Sequence, residues 1–212
     1  MPTLIKILFG AQANHLLAFK ERGAHLSTEA FLKTYQEVDP VLYGYVERKT
    51  DLHADCIPVI TGHLLGSVLE VGAGKGYLAN IMTSTHTVTA CDLQQPLNWN
   101  ERYPHIPFVQ GTIEHLPFET GSFDTVVCTH TLEHVQHLTL AISELRRVAK
   151  RRLIIVVPKQ RPYKYTFDLH LHFFPYPFSL LNIMGTQANQ QCRDIGGDLF
   201  YTEDRAPDSL GG

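Results

Sequence analysis

Residues 69–76 read LEVGAGKG, the end of an apolar run followed by glycines at positions 72, 74 and 76. A glycine-rich turn after a strand lets the backbone approach a ligand with no β-carbon in the way. Dinucleotide binders space such glycines as G-x-G-x-x-G and rest a pyrophosphate on the N-terminus of the next helix. Here the spacing is G-x-G-x-G, and Tyr77 stands where the third glycine of that pattern belongs. Glu70, two residues before Gly72, would repel a pyrophosphate but suits a ligand carrying an ammonium or sulfonium.

Working outward, SVLEV (67–71) reads as a first strand and YLANIM (77–82) as the helix that follows the loop. HTVTACDL (86–93), IPFVQG (106–111), FDTVVCTH (123–130) and RLIIVVP (152–158) read as further strands. Between the last two, HLTLAISELRRVAK (137–150) places Leu138, Ile142, Leu145 and Val148 at helical spacing. Strands alternating with helices predict an α/β fold, a Rossmann-like, mostly parallel sheet with helices on both faces. Gly196-Gly197, between QCRDI and DLFYTED, predicts a C-terminal antiparallel hairpin. Upstream, Ser27 caps a helix through TEAFLKTYQEV, and Asp39-Pro40 opens a second through VLYGYVERKTDLHADC. The expected organisation is an N-terminal helical cap over 1–66 on a core over 67–212, one compact domain overall.

The 212 residues are 44% hydrophobic and 18% charged with a net charge of −3, which gives no global attraction to nucleic acid or anionic membrane. The basic run RRVAKRR (146–152) reads as a solvated helix end complementing the helix dipole. Cys56, Cys91, Cys128 and Cys192 form no C-x-x-C pair, which suits a reducing compartment. The first residues lack a signal-peptide core and no window approaches a membrane span, so a cytoplasmic location is expected. Oligomeric state is not readable from this pattern.

In order and spacing, VLEVGAGKGYLANIM, TACDL, GTIEHLPFETGSFDTVVCTHTLEHV and LIIVVP resemble the successive motifs of class I S-adenosylmethionine-dependent methyltransferases, in particular their small single-domain subgroup. The resemblance covers about residues 67–160, and more loosely the hairpin. It implies S-adenosylmethionine as cofactor, with Glu70, Gly72 and Gly74 along its methionine end, Asp92 on the ribose and Leu93 against the adenine. Thr112, Ile113 and Glu114 would surround the adenine edge, although relatives often carry an acidic residue where Thr112 stands. Thr129 and His130 would face the cofactor and the substrate cavity, whereas Glu133 and His134 read as mainly structural.

Methyl transfer from a sulfonium is an in-line displacement, so the protein must align the acceptor and exclude water. An alcohol or phenol acceptor also needs a group to take its proton, a task suited to histidine. The segment after the fifth strand (159–185) is expected to be a loop overhanging the site, with Tyr163, Tyr165, Phe167, Phe173 and Phe174 available as a substrate wall. If that segment is extended, Asp168, His170 and His172 share one face, as a base held by a carboxylate or as a metal site. The second option lacks an identified fourth ligand, and no metal is assigned. His170, His172 and His130 are therefore the catalytic candidates. Tyr35, Tyr43 and Tyr45 are candidates for a roof, and Arg161 and Lys164 for attracting an anionic substrate.

The expected reaction is O-methylation of a small-molecule or sugar-containing acceptor, because no nucleic-acid module is present. Two other readings stay open. A nicotinamide-dependent oxidoreductase is opposed by Tyr77 and Glu70, and an inactive cofactor-binding regulatory or scaffold protein is opposed by nothing in the sequence.

Overall fold

The computed structural model describes residues 3, 7, 19–34, 49–163 and 168–205. Its framework begins with helix α1 (Cys56–His63), strand β1 (Val68–Val71), α2 (Tyr77–Met82), β2 (Val88–Asp92), α3 (Trp99–Arg102), β3 (Phe108–Gln110) and β4 (Phe123–Thr129). It continues with α4 (Leu138–Val148), β5 (Ala149–Pro158), α5 (Pro177–Met184), β6 (Gln191–Ile195) and β7 (Asp198–Asp204). The seven strands form one sheet in the order β3-β2-β1-β4-β5-β7-β6. Strands β1 to β5 pair in parallel, and β7 pairs antiparallel with both β5 and β6. The expected hairpin turns at Gly196-Gly197, where Ile195 pairs with Asp198. Its insertion of β7 between β5 and β6 makes β7 the one strand running against the rest.

Strand alternation sorts the core into two layers. Leu69, Val71, Val126, Cys128, Leu153, Ile155 and Val157 face α4 and α5 in one cluster. Val68, Val88, Ala90, Val127, Ile154 and Val156 face α1, α2 and Trp99 in the other. Both faces of β1, β4 and β5 are thus covered, which is why those strands read as unbroken apolar runs.

Three expectations change. The described part of the helix expected over 41–56 is turn and bend, and helix begins only at Cys56. In that turn the Leu52 amide donates to Thr50 Oγ1 (3.1 Å) and the His53 amide to Asp198 Oδ2 (2.8 Å), local and tertiary bonds that compete with a helical ladder. The segment after β5 is not all loop: Pro177 at the first helical position starts α5, which buries Leu180 and Met184. The basic run is not simply solvated either. Arg146 donates to both carboxylate oxygens of buried Glu203 (2.8 and 2.7 Å), Arg147 to Glu144 and two carbonyls, and Arg152 to Asp204.

Candidate functional site

Strand order reverses direction of growth between β1 and β4, and the crevice beyond their carboxyl ends is where an open α/β sheet binds ligands. The glycine loop bridges that point. Amides of Gly72 and Ala73 donate to the Cys91 carbonyl (2.9 and 3.2 Å), fixing the loop against the end of β2. Gly74 has φ +50°, and a Cβ built there meets nothing within 4 Å, so one side of the loop is open. Gly72 has φ +76°, and its missing Cβ makes room for the Thr131 side chain from the loop after β4.

Glu70 and Asp92 stand on either side of this loop. Asp92 accepts hydrogen bonds from the amides of Gly74 (2.7 Å) and Leu93 (2.6 Å), and burial raises its pKa against those bonds. Glu70 is 2% exposed, and its Oε2 has no hydrogen-bond partner. Burial pushes its carboxyl up to about 8, against a bond from the Ala79 amide, and the Asp92 charge adds to the rise. A buried carboxylate oxygen left without a donor is costly, and a cationic group at the loop mouth would satisfy it.

The other residues expected at a cofactor border the same end of the sheet. Leu93 and Thr112 are partly buried, and Ile113 packs against the cluster below α4. Glu114 Oε1 accepts from the His137 amide (2.8 Å), which places it at the N-terminus of α4. Thr129 is buried at the end of β4.

His130, the next residue, has φ +48°, uncommon for a non-glycine residue. Its amide donates to the Val156 carbonyl (2.8 Å) and its Nε2 to Asp198 Oδ1 (3.1 Å), which together hold the conformation. Its Nδ1 lies 3.7 Å from Glu133 Oε1. Burial alone would lower the His130 pKa, but the hydrogen bond to Asp198 and the charge of Glu133 raise it overall.

The expected shared face of Asp168, His170 and His172 is not what the structure builds. His170 turns to His134, ring centroids 4.6 Å apart, while its Nδ1 donates to Gln160 Oε1 (2.5 Å) and lies 3.5 Å from Asp168 Oδ2. His172 instead donates from Nε2 to the Val135 carbonyl (2.9 Å). The segment is stitched to the loop after β4, since the amides of Leu171 and His172 both donate to the Glu133 carbonyl. Among the described residues, Glu133, His134 and His170 bring one potential ligand atom each within 4.8 Å of one another. Glu133 and His134 belong to an H-x-x-E-H spacing that starts with His130 at the end of β4.

Of the expected aromatic wall, Phe174 is fully buried in the core below α5. Tyr163 and Phe173 form an edge contact (5.8 Å between centroids), and Lys20 Nζ lies 4.2 Å from the Phe173 ring centre. Arg161 donates to the Tyr176 hydroxyl (3.2 Å). Tyr35, Tyr43, Tyr45, Lys164, Tyr165 and Phe167 lie outside the described residues. None of the described helices is long and apolar enough to cross a membrane.

Residues 69–157 match the family described as a methyltransferase domain. Over 119 residues the chain is 30% identical to an uncharacterised protein of Methanocaldococcus jannaschii, covering 53% of this chain and 50% of that protein. It is 29% identical over 120 residues to a demethylmenaquinone methyltransferase of Beutenbergia cavernae, covering 53% and 50%. The chain therefore spans about half the length of the curated relatives it matches. In three dimensions it is similar to the 1,6-didemethyltoxoflavin-N1-methyltransferase of Burkholderia thailandensis, solved with 1,6-didemethyltoxoflavin and S-adenosylhomocysteine bound. That likeness has a TM-score of 0.59 at 20% identity over 84% of this chain and 86% of the other, and it is one of fold.

Proposed function

We propose that the protein, whose residues 69–157 match a methyltransferase domain, is a class I S-adenosylmethionine-dependent methyltransferase that transfers a methyl group from S-adenosylmethionine to an oxygen of a small-molecule acceptor. The observation that carries this reading is the pairing of an unpartnered, buried Glu70 Oε2 with a glycine loop open at Gly74. An ammonium or sulfonium fits that pairing and a pyrophosphate does not.

Glu70 and the loop amides would hold the amino-acid end of the cofactor, and Asp92 would accept from the ribose hydroxyls. Leu93, Thr112 and Ile113 would border the adenine. The cofactor, when bound, supplies a methyl group activated by its sulfonium. This chain's own part is to orient the acceptor, exclude water and move a proton. His130 would take the last task, with Asp198 on its Nε2 and Nδ1 left to accept a proton beside Glu133. A carboxylate–imidazole pair at a strand end favours a hydroxyl acceptor, which must lose a proton as it attacks.

The N-terminal segment serves this reading as a cap. Gln136 Nε2 donates to the carbonyls of Gly23 and Leu26, and Lys20 Nζ to that of Tyr163. The segment 19–34 is thereby tied to the loops after β4 and β5. Free cysteines, three of them buried, favour a reducing compartment such as the cytoplasm.

Calorimetric titration of the ligand-free protein with S-adenosylhomocysteine and with NAD tests the cofactor assignment. Micromolar binding of the first and none of the second is expected, and Asp92→Asn should weaken it by about 1.5–3 kcal/mol, roughly 10- to 150-fold. A folded protein that binds NAD but not the adenosyl ligand sinks the assignment. A screen of hydroxyl acceptors with labelled S-adenosylmethionine then tests transfer to oxygen.

A further inference from the structure

Glu133 is fully buried, and neither carboxylate oxygen has a hydrogen-bond partner. Around its Oε1 stand His130 Nδ1 at 3.7 Å and His134 Nε2 at 3.8 Å, too far for hydrogen bonds, and His170 completes the group. A carboxylate in such a place needs either good hydrogen bonds or a cation, and its own amide and the charge of His130 offset its burial only in part. We propose that Glu133, His134 and His170 form a binding site for a divalent transition-metal ion, of which zinc is the simplest probe, and that this ion holds the acceptor oxygen.

The donor chemistry fits such an ion. Two imidazoles and one carboxylate suit zinc, manganese or iron(II) better than calcium or magnesium, which prefer all-oxygen shells. Three protein ligands leave a position for another oxygen, the pattern of catalytic rather than structural zinc sites. One imidazole is oriented as metal ligands usually are, by a hydrogen bond at its other nitrogen. His170 donates its Nδ1–H to Gln160, so Nε2 carries the lone pair, whereas His134 Nδ1 is buried without a hydrogen-bond partner. Burial also holds both rings below the ordinary histidine pKa, hence neutral near pH 7. Bonds of about 2.0–2.2 Å set tetrahedral ligand atoms about 3.3 Å apart, so side-chain rotations that draw the atoms in by about an ångström and a half close the site from its 4.8 Å limit.

The site is open on one side and close to the glycine loop. Side chains of His134 and His170 keep 19% and 12% of their surface exposed, while Glu133 closes the inner wall. Thr131, within the same loop, fills the space beside Gly72. On the methyltransferase reading, which this role rests on, the acceptor hydroxyl binds the ion and passes its proton to His130. The oxygen lone pair then forms the bond to the methyl carbon as the carbon–sulfur bond breaks, its electrons remaining on sulfur.

Metal binding is testable without turnover. The full chain, freed of metal with a chelator, is titrated with zinc by calorimetry and with cobalt(II) by visible absorption, alongside Glu133→Gln and His170→Gln. One ion per chain is expected, with affinity falling at least about 100-fold in each variant while S-adenosylhomocysteine binding persists. Glu133→Gln is near-isosteric and removes a buried charge, so its metal-free melting temperature should not fall, which separates lost ligation from lost folding. A folded, cofactor-binding wild type that takes up neither ion, or variants that bind as well as wild type, would overturn the site. Uptake that depends on these residues in a protein that fails to bind S-adenosylhomocysteine would keep the site and strike down the methyltransferase role.

Discussion

At 2% exposure, Glu70 is uncomfortable as a carboxylate and stable as a carboxylic acid. Its pKa, raised from 4.5 to about 8, contributes stability that is fully present below pH 4.5 and is lost as pH rises through about 8. A ligand ammonium at the loop mouth favours the charged form, so binding expels a proton from this group. Affinity for S-adenosylhomocysteine should therefore rise by up to about tenfold per pH unit from pH 6 toward 8. Titrations in two buffers of different ionisation enthalpy measure that proton release directly. Glu70→Gln should abolish it, and should stabilise the ligand-free protein more at pH 8 than at pH 5. A pH-independent affinity with no proton release would remove Glu70 from the cofactor site. The placement of Glu70 and Asp92 beside the glycine loop was legible in the sequence because it follows from short offsets to one loop. The grouping of Glu133 and His134 with His170 was not, because it joins residues from two loops that only the fold brings together.

Between elements, α4 is held to the end of β7 by Arg146. Its guanidinium grips Glu203 through two oxygens, while Tyr201 donates to the same carboxylate (2.6 Å) and Arg146 also reaches the Met184 carbonyl. Glu203 is fully buried, so removing its main cation strands a charge. Arg146→Ala should cost about 3 kcal/mol in urea denaturation, and adding Glu203→Gln should return a good part of it by removing that charge. Equal losses in the single and double variants would mean that packing by the arginine stem, not charge, sets the effect. The strands, α2 and α4 were legible because alternation and helical spacing are local signals. Three helices were not: α1 carries Pro58 and Gly62 within CIPVITGH and α5 follows a proline-flanked aromatic stretch, so breakers masked both, while α3 is a single turn too short to show a period. The partners of Arg146 and Arg152 were hidden for another reason, since Glu203 and Asp204 lie 57 and 52 positions away.

Across the whole molecule, the sheet is covered on both faces, and the described N-terminal segment, 19–34, is attached through side-chain contacts to the loops after β4 and β5. Phe19 and Phe31 pack together at 5.9 Å, and Gly23 lies where a Cβ would meet Leu171 at 2.9 Å. The segment's polar ties among the described residues include Lys20, which reaches the Tyr163 carbonyl and Asp168, and Gln136, whose single amide group serves the Gly23 and Leu26 carbonyls at 2.8 and 3.0 Å. Elements held this way open independently of the core. Gln136→Ala should cost the docking of this segment about 1–2 kcal/mol, which accelerates hydrogen exchange of amides in 28–34 by about 5- to 30-fold. Amides of β4 and β5, protected on both faces, should exchange at the wild-type rate. Because the same segment touches the loops after β4 and β5, saturating S-adenosylhomocysteine should slow its exchange in the wild type and less so in the variant. Acceleration spread evenly over segment and sheet would show one cooperative unit in place of a separable cap. An unchanged segment would show that the Phe19–Phe31 packing and the Lys20 contacts hold it down without Gln136.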